Sequence, residues 1–225
     1  TRRSSDLTVK NEIPSTLENA PLKLKICGMK LNTSNVAALH PDYLGFIFWK
    51  NSKRNFSGSL EAVPRYIKKV GVFVNATIAE IREKVSRYDL LLVQLHGDET
   101  PSFCKELKKE IKTIQLIKVF SIKDEFNFEA LKSYEDIVDF YLFDTKGKLP
   151  GGNGYTFNWN ILKEYPSKKP YFLSGGIGLE EIDNLHSFFK IPTSKYCHAI
   201  DVNSKFEIAP GLKDIRLLKE LKEKL

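Results

Sequence analysis

The sequence predicts an α/β protein: a single (β/α)8 TIM barrel of parallel strands, preceded by a polar N-terminal extension. Three observations carry that reading. From Leu22 onward, eight short apolar runs alternate with eight helix-like stretches. Several of the runs are almost continuously apolar, as parallel strands covered on both faces must be. The length of 225 residues suits one barrel, since such barrels commonly run to about 250 residues as one domain. An open doubly wound sheet is the main rival, because the same alternation also builds it.

Residues 1–21 are polar, rich in Ser, Thr, Asn and Glu, and carry no sustained period. They are expected to lie outside the barrel as an extension. The expected strands are 22–27, 43–48, 70–74, 90–96, 114–120, 138–144, 170–174 and 198–202. The expected helices are 35–40, 60–68, 78–88, 101–110, 128–134, 159–165, 179–189 and 212–225. In 78–88, Ile78, Ile81, Val85 and Tyr88 follow the spacing of one buried helix face. No linker-like stretch interrupts the series, so 22–225 is expected to form one catalytic domain.

Composition narrows the function classes. Hydrophobic residues make up 42% of the chain, enough for a sizeable core. No apolar stretch approaches the roughly 20 residues needed to span a bilayer, and the first residues show no apolar run of a secretory signal. Three cysteines cannot all pair and show no metal-binding spacing, which predicts a reduced, cytoplasmic protein. The net charge of +7 suits a small anionic ligand. Its lysines are spread along the chain, with no compact basic block interleaved with aromatics, so nucleic acid is not the expected partner.

The chemistry-bearing residues fall at the carboxyl ends of the expected strands, the face on which such barrels place their active sites. Cys27 ends the first run and is followed by Gly28. Buried as a small hydrophobe it would do nothing; at a strand end it is placed to meet a ligand. Cys104, inside a helix-like segment, and Cys197, just before the last strand, fit the inert reading better. Asp144 ends the run Phe140-Tyr141-Leu142-Phe143, where a carboxylate either faces the site or caps a loop.

Three stretches suit an anion. Gly151-Gly152-Asn153-Gly154 is a flexible turn whose N–H groups can approach a ligand closely. Ser174-Gly175-Gly176 follows strand seven, and Asp201-Val202-Asn203-Ser204 follows strand eight. Loops after strands seven and eight frequently form the phosphate site of these barrels. Arg54, after strand two, could bind a carboxylate through its planar fork. His96, after strand four, reads as pocket lining. The other histidines (His40, His186, His198) form no metal spacing, and no metal is expected.

Taken together, these segments resemble the phosphoribosylanthranilate isomerases of tryptophan biosynthesis. The matching residues are Lys25 to Met29, Ser52-Lys53-Arg54, Val70 to Asn75, Val93 to Gly97, Asp144-Thr145, Gly151 to Gly154, Leu173 to Ile177, and Asp201 to Ser204 through Glu207 to Pro210-Gly211. The resemblance implies an Amadori rearrangement, without cofactor or metal. Its substrate would be N-(5-phosphoribosyl)anthranilate and its product 1-(2-carboxyphenylamino)-1-deoxyribulose 5-phosphate. It implies Cys27 as general base, Asp144 as general acid and Arg54 on the anthranilate carboxylate. Gly152, Gly154, Ser174, Gly175, Gly176, Asn203 and Ser204 would hold the phosphate, with His96 and Asp201 lining the pocket. A monomer is expected, with a homodimer as the alternative. Isomerases of the histidine pathway, which work through two aspartates, are the nearest rivals, and Cys27 speaks against them.

This chemistry needs the less usual protonation state of both groups, since a free carboxyl titrates near 3.9 and a free thiol near 8.5. An apolar strand end should raise the aspartate and nearby positive charge should lower the thiol. Lys30 or Lys205 could supply that charge. Both depart from the family pattern: Lys30 stands where threonine is common, and Lys205-Phe206 where Gly-Val is usual.

Overall fold

The computed structural model describes residues 22–61, 63–123, 125–145 and 157–225. The extension 1–21 and the turn carrying Gly152 and Gly154 lie outside the described residues.

Eight strands close into an all-parallel barrel in sequence order: β1 (Lys23–Ile26), β2 (Tyr43–Ile47), β3 (Lys68–Phe73), β4 (Leu92–Leu95), β5 (Gln115–Ile122), β6 (Phe140–Thr145), β7 (Tyr171–Leu173) and β8 (Cys197–Val202). Closure is made by β1 on β8, with Lys25 opposite Asp201 and Ile26 opposite Val202. This settles the choice between barrel and open sheet. Helices α1 (Thr33–Ala37), α2 (Ile78–Tyr88), α3 (Pro101–Glu110), α4 (Glu129–Lys132), α5 (Ile182–Phe188) and α6 (Ile215–Lys224) lie between or after the strands. A 3-10 helix, Trp159–Glu164, stands in place of the α-helix expected over 159–165, and a short 3-10 turn, Leu179–Glu181, replaces the start of the one expected over 179–189.

Local chemistry explains the well-formed helices. Thr77 caps α2 by accepting from Glu80 N, while the Glu80 carboxylate accepts from Thr77 N, a reciprocal pair that satisfies two free amides. Thr100 caps α3 in front of Pro101, whose missing N–H costs nothing at a first helical position. The expected helix over 60–68 does not form. Pro64 disfavours helical geometry at Val63 and removes an amide donor, so the segment runs as tight turns closed by Val63 N on Leu60 O and Ile67 N on Pro64 O. Its apolar residues Leu60, Val63 and Ile67 are buried all the same. The last expected helix starts later than 212, because β9 (Glu207–Ala209) and β10 (Leu212–Lys213) form a small antiparallel hairpin first.

The period-2 alternation of strands sorts side chains into two sets. Outward residues such as Ile26, Leu44, Leu95, Leu116 and Phe143 pack beneath the helices. Inward residues Tyr43, Val70, Leu92, Ile117, Phe140, Phe172 and Ala199 fill the barrel. One or two steps further along the same inward rows, the side chains turn polar: Cys27, Gln94, His96, Asp144, Ser174, Asp201 and Asn203. The apolar plug thus forms the floor on which the polar end stands.

Candidate active site

An open cleft of about 710 Å3, part of it open to solvent, occupies the carboxyl end of the barrel. Cys27, Arg54, His96, Asp144, Ser174, Gly175, Gly176, Asp201, Asn203 and Ser204 all line it. Every described residue expected at the site is therefore brought to one place.

Cys27 lies one step beyond β1, held by its N–H on Val202 O at 2.9 Å. Gly45, on the neighbouring strand, makes room for it. A Cβ there would stand 2.7 Å from Cys27 Sγ. Burial pushes the thiol up from its ordinary range, opposed by the positive charges of Lys25 and Lys213. The expectation of a lowered thiol is thus corrected, because desolvation outweighs the cations. The cations involved are also not those anticipated. Lys30 donates to Lys53 O at the surface and Lys205 pairs with Glu180 at 2.5 Å.

Beneath the thiol lies a buried polar network that the sequence reading misses. Lys25 is fully buried and donates to Asp201 Oδ2 at 2.6 Å and Gln94 Oε1 at 2.9 Å. Burial pulls Lys25 down, but Asp201 and Cys27 more than restore it, so it stands above the ordinary lysine value. Lysine only donates, which fixes Gln94 with its oxygen toward Lys25 and its Nε2 toward His96 Nδ1, 3.3 Å away. His96 Nδ1 is then the acceptor, which leaves Nε2 as the ring nitrogen that carries the proton. That Nε2 lies 3.3 Å from Asp144 Oδ2, outside hydrogen-bonding geometry. The acid that stands beside His96 in the fold comes from β6. Asp144 is buried, and its Oδ1 accepts from Thr145 N at 2.9 Å.

Arg54 is held rather than free. Its Nε and Nη2 grip the Glu207 carboxylate at 2.7 to 3.0 Å, and Glu207 also accepts from Lys213 Nζ at 2.9 Å. These donors hold Glu207 below the usual carboxylate range against the upward push of burial. On the opposite rim, Gly175 and Gly176 take φ of +91° and +70°, which side chains rarely adopt. A Cβ on Gly175 would lie 2.6 Å from Thr145 N. Lys25, Gln94 and Lys213 carry no signature of their own in sequence. The i, i+2 spacing of Lys25 with Cys27 and of Gln94 with His96 is the signal that places the first two on the inward face.

Comparison with known proteins decides the family. A family model described as N-(5'-phosphoribosyl)anthranilate (PRA) isomerase matches residues 24–224. The chain belongs to the N-(5'-phosphoribosyl)anthranilate isomerase family. It is 44% identical over 207 residues to the isomerase of Parabacteroides distasonis, covering 87% of this chain and 90% of that one. With the isomerase of Phocaeicola vulgatus it shares 40% over 194 residues, covering 85% and 91%. The crystal structure of the Thermotoga maritima phosphoribosyl anthranilate isomerase superposes with a TM-score of 0.76 at 29% identity, over 91% of this chain and 98% of that one. A further isomerase structure, in complex with reduced 1-(o-carboxyphenylamino)-1-deoxyribulose 5-phosphate, has a TM-score of 0.73 at 27% identity, over the same shares. Family membership makes this chain a phosphoribosylanthranilate isomerase of tryptophan biosynthesis, built as a TIM barrel. Among the described residues no helix is long and apolar enough to cross a membrane.

Proposed function

We propose that Cys27 and Asp144 are the base and acid of the isomerisation, with Arg54 on the carboxylate and the strand-seven and strand-eight loops on the phosphate. The observation that carries this reading is the meeting of Cys27, Asp144 and Arg54 in one cleft from strand ends far apart in sequence. The substrate, N-(5-phosphoribosyl)anthranilate, lies with its ribose between the thiol and the acid. Asp144 gives a proton to the furanose oxygen as the ring opens to a Schiff base at C1. Cys27 as thiolate takes the C2 proton, and the electron pair left behind neutralises the iminium nitrogen. The enolamine that results tautomerises to the ketone product.

Around that pair, Lys25 and Lys213 favour the thiolate electrostatically, which is the state the base needs. Gly175, Gly176, Asn203 and Ser204 hold the phosphate, together with Ser174 and with Gly152 and Gly154 of the turn after β6. Arg54 keeps one guanidinium face for the anthranilate carboxylate while Glu207 holds the other. The chain acts as a monomer in the cytoplasm on this reading, as a catalytic barrel 22–225 with an accessory extension 1–21. Free cysteines at positions 27, 104 and 197 support a reducing compartment.

The test follows loss of anthranilate-type fluorescence with freshly generated substrate. Cys27→Ala and Asp144→Asn should each lower kcat by roughly 10²–10⁴-fold, the usual worth of a general acid or base. A Cys27→Ala variant with parental turnover would overturn the base assignment.

A further inference from the structure

The Arg54 clamp and the phosphate loop look separate along the chain, yet one buried lysine holds both. Lys213, on β10, is fully buried. Its Nζ donates to Glu207 Oε1 at 2.9 Å, to Asn203 Oδ1 at 2.8 Å and to Asn203 O at 3.1 Å. Three acceptors use all three of its protons. Glu207, fixed this way and by Gly211 N at 3.1 Å, carries Arg54. Because lysine cannot accept, it also fixes the Asn203 amide with its oxygen inward, leaving Nδ2, a donor, as the end free for the cleft. Both arms converge beside the catalytic loop: a Cβ on Gly28 would lie 2.8 Å from Arg54 Cδ and 2.5 Å from Asn203 Oδ1.

We propose that Lys213 is a positioning residue that sets the two anionic ends of the substrate site together, Arg54 for the carboxylate through Glu207 and Asn203 for the phosphate directly. The inference rests on the assignment of Arg54 and Asn203 made above. Its physical content is a shared cation: removing it releases both arms, whereas removing Glu207 releases only one.

A set of double-mutant cycles tests this, with substrate KM as the readout. KM is chosen because loss of the Lys213 charge also disfavours the Cys27 thiolate and so lowers kcat by itself. Lys213→Met keeps the length of the buried stem; Arg54→Met and Asn203→Ala should each raise KM about tenfold, the worth of one charge-assisted hydrogen bond, and Lys213→Met, which loosens both arms, about a hundredfold. In the Lys213→Met background, adding Arg54→Met or Asn203→Ala should cost little more, because each arm is already loose. Glu207→Gln should abolish the further cost of Arg54→Met but leave that of Asn203→Ala intact. Glu207→Gln also keeps the test decisive if Lys213→Met fails to fold, since equal non-additivity with both partners would then overturn the two-arm arrangement. Costs that multiply freely with Lys213→Met, or a parental KM in a folded Lys213→Met, would overturn the proposal. A parental KM in Arg54→Met would instead overturn the carboxylate assignment beneath it.

Discussion

As the proposed base, Cys27 is both hindered and helped by its surroundings. Burial pushes the thiol above its ordinary range, while Lys25 and Lys213 pull the other way and the Asp201 carboxylate reinforces the upward push. A base that must be deprotonated works better as pH rises, so the ascending limb of kcat/KM against pH belongs to this thiol. That limb should lie above about 8.5, the ordinary thiol value. Lys25→Met removes a charge that favours the thiolate, so the limb should move further alkaline and activity at pH 7 should fall about tenfold for each unit moved. A Cys27→Ala variant should lack the limb altogether. An ascending limb unchanged by Lys25→Met would show that Cys27 is not the titrating group. The same residues show why part of the site is legible in sequence and part is not. Cys27 and Asp144 announce themselves by ending apolar runs, whereas Lys25 sits inside its run and carries no signature of its own. Only the partner carboxylate of β8, 176 residues away, explains its burial.

At the level of elements, the site depends on how closely β1 and β2 approach. Gly45 pairs with Val70 across β2 and β3, while its missing side chain leaves space for the thiol on the inward face. A methyl group there would meet Sγ at 2.7 Å and Cys27 Cα at 3.1 Å, so thiol or strand must shift. Gly45→Ala should therefore lower kcat about 10²-fold, the scale set by ångström misplacement of a reacting group. KM should change little, because Arg54 and the loops proposed to hold the phosphate lie on other elements. Parental kcat in a folded Gly45→Ala would mean the thiol has slack that this close approach denies. Elements also differ in how readily sequence reveals them. α2 and α3 have the bounds expected from their periodicity, since each carries a capping threonine and an amphipathic face. The 60–68 segment has similar apolar spacing but contains Pro64, and local backbone chemistry overrides the pattern. The β9–β10 hairpin is hidden because β9 spans three residues and β10 two, too short for a period to show. It is nonetheless the element that carries Glu207 and Lys213.

The molecule as a whole presents a positive field to a substrate that carries both a phosphate and a carboxylate. Arg2, Arg3 and Lys10 of the extension are balanced by Asp6, Glu12 and Glu18, so the net charge of +7 belongs to residues 22–225. Inside the cleft, by contrast, the buried cations are largely neutralised: Lys25 faces Asp201, and Arg54 and Lys213 share Glu207. The excess lies on the exposed lysines, whose interactions are screened over a Debye length of about 10 Å at 0.1 M salt. Such a field acts on encounter rather than on chemistry. Raising ionic strength from about 0.01 M to 0.3 M, across which the Debye length shrinks from about 30 Å to below 10 Å, should therefore lower kcat/KM severalfold and leave kcat nearly constant. Removing residues 1–21 should leave both the activity and this salt dependence as they are, because all eight strands and every described site residue follow them. A kcat that falls with salt in step with kcat/KM would assign the effect to the catalytic groups instead. A salt dependence that disappears with the extension would place the steering charge there, against the balance of its six charged residues.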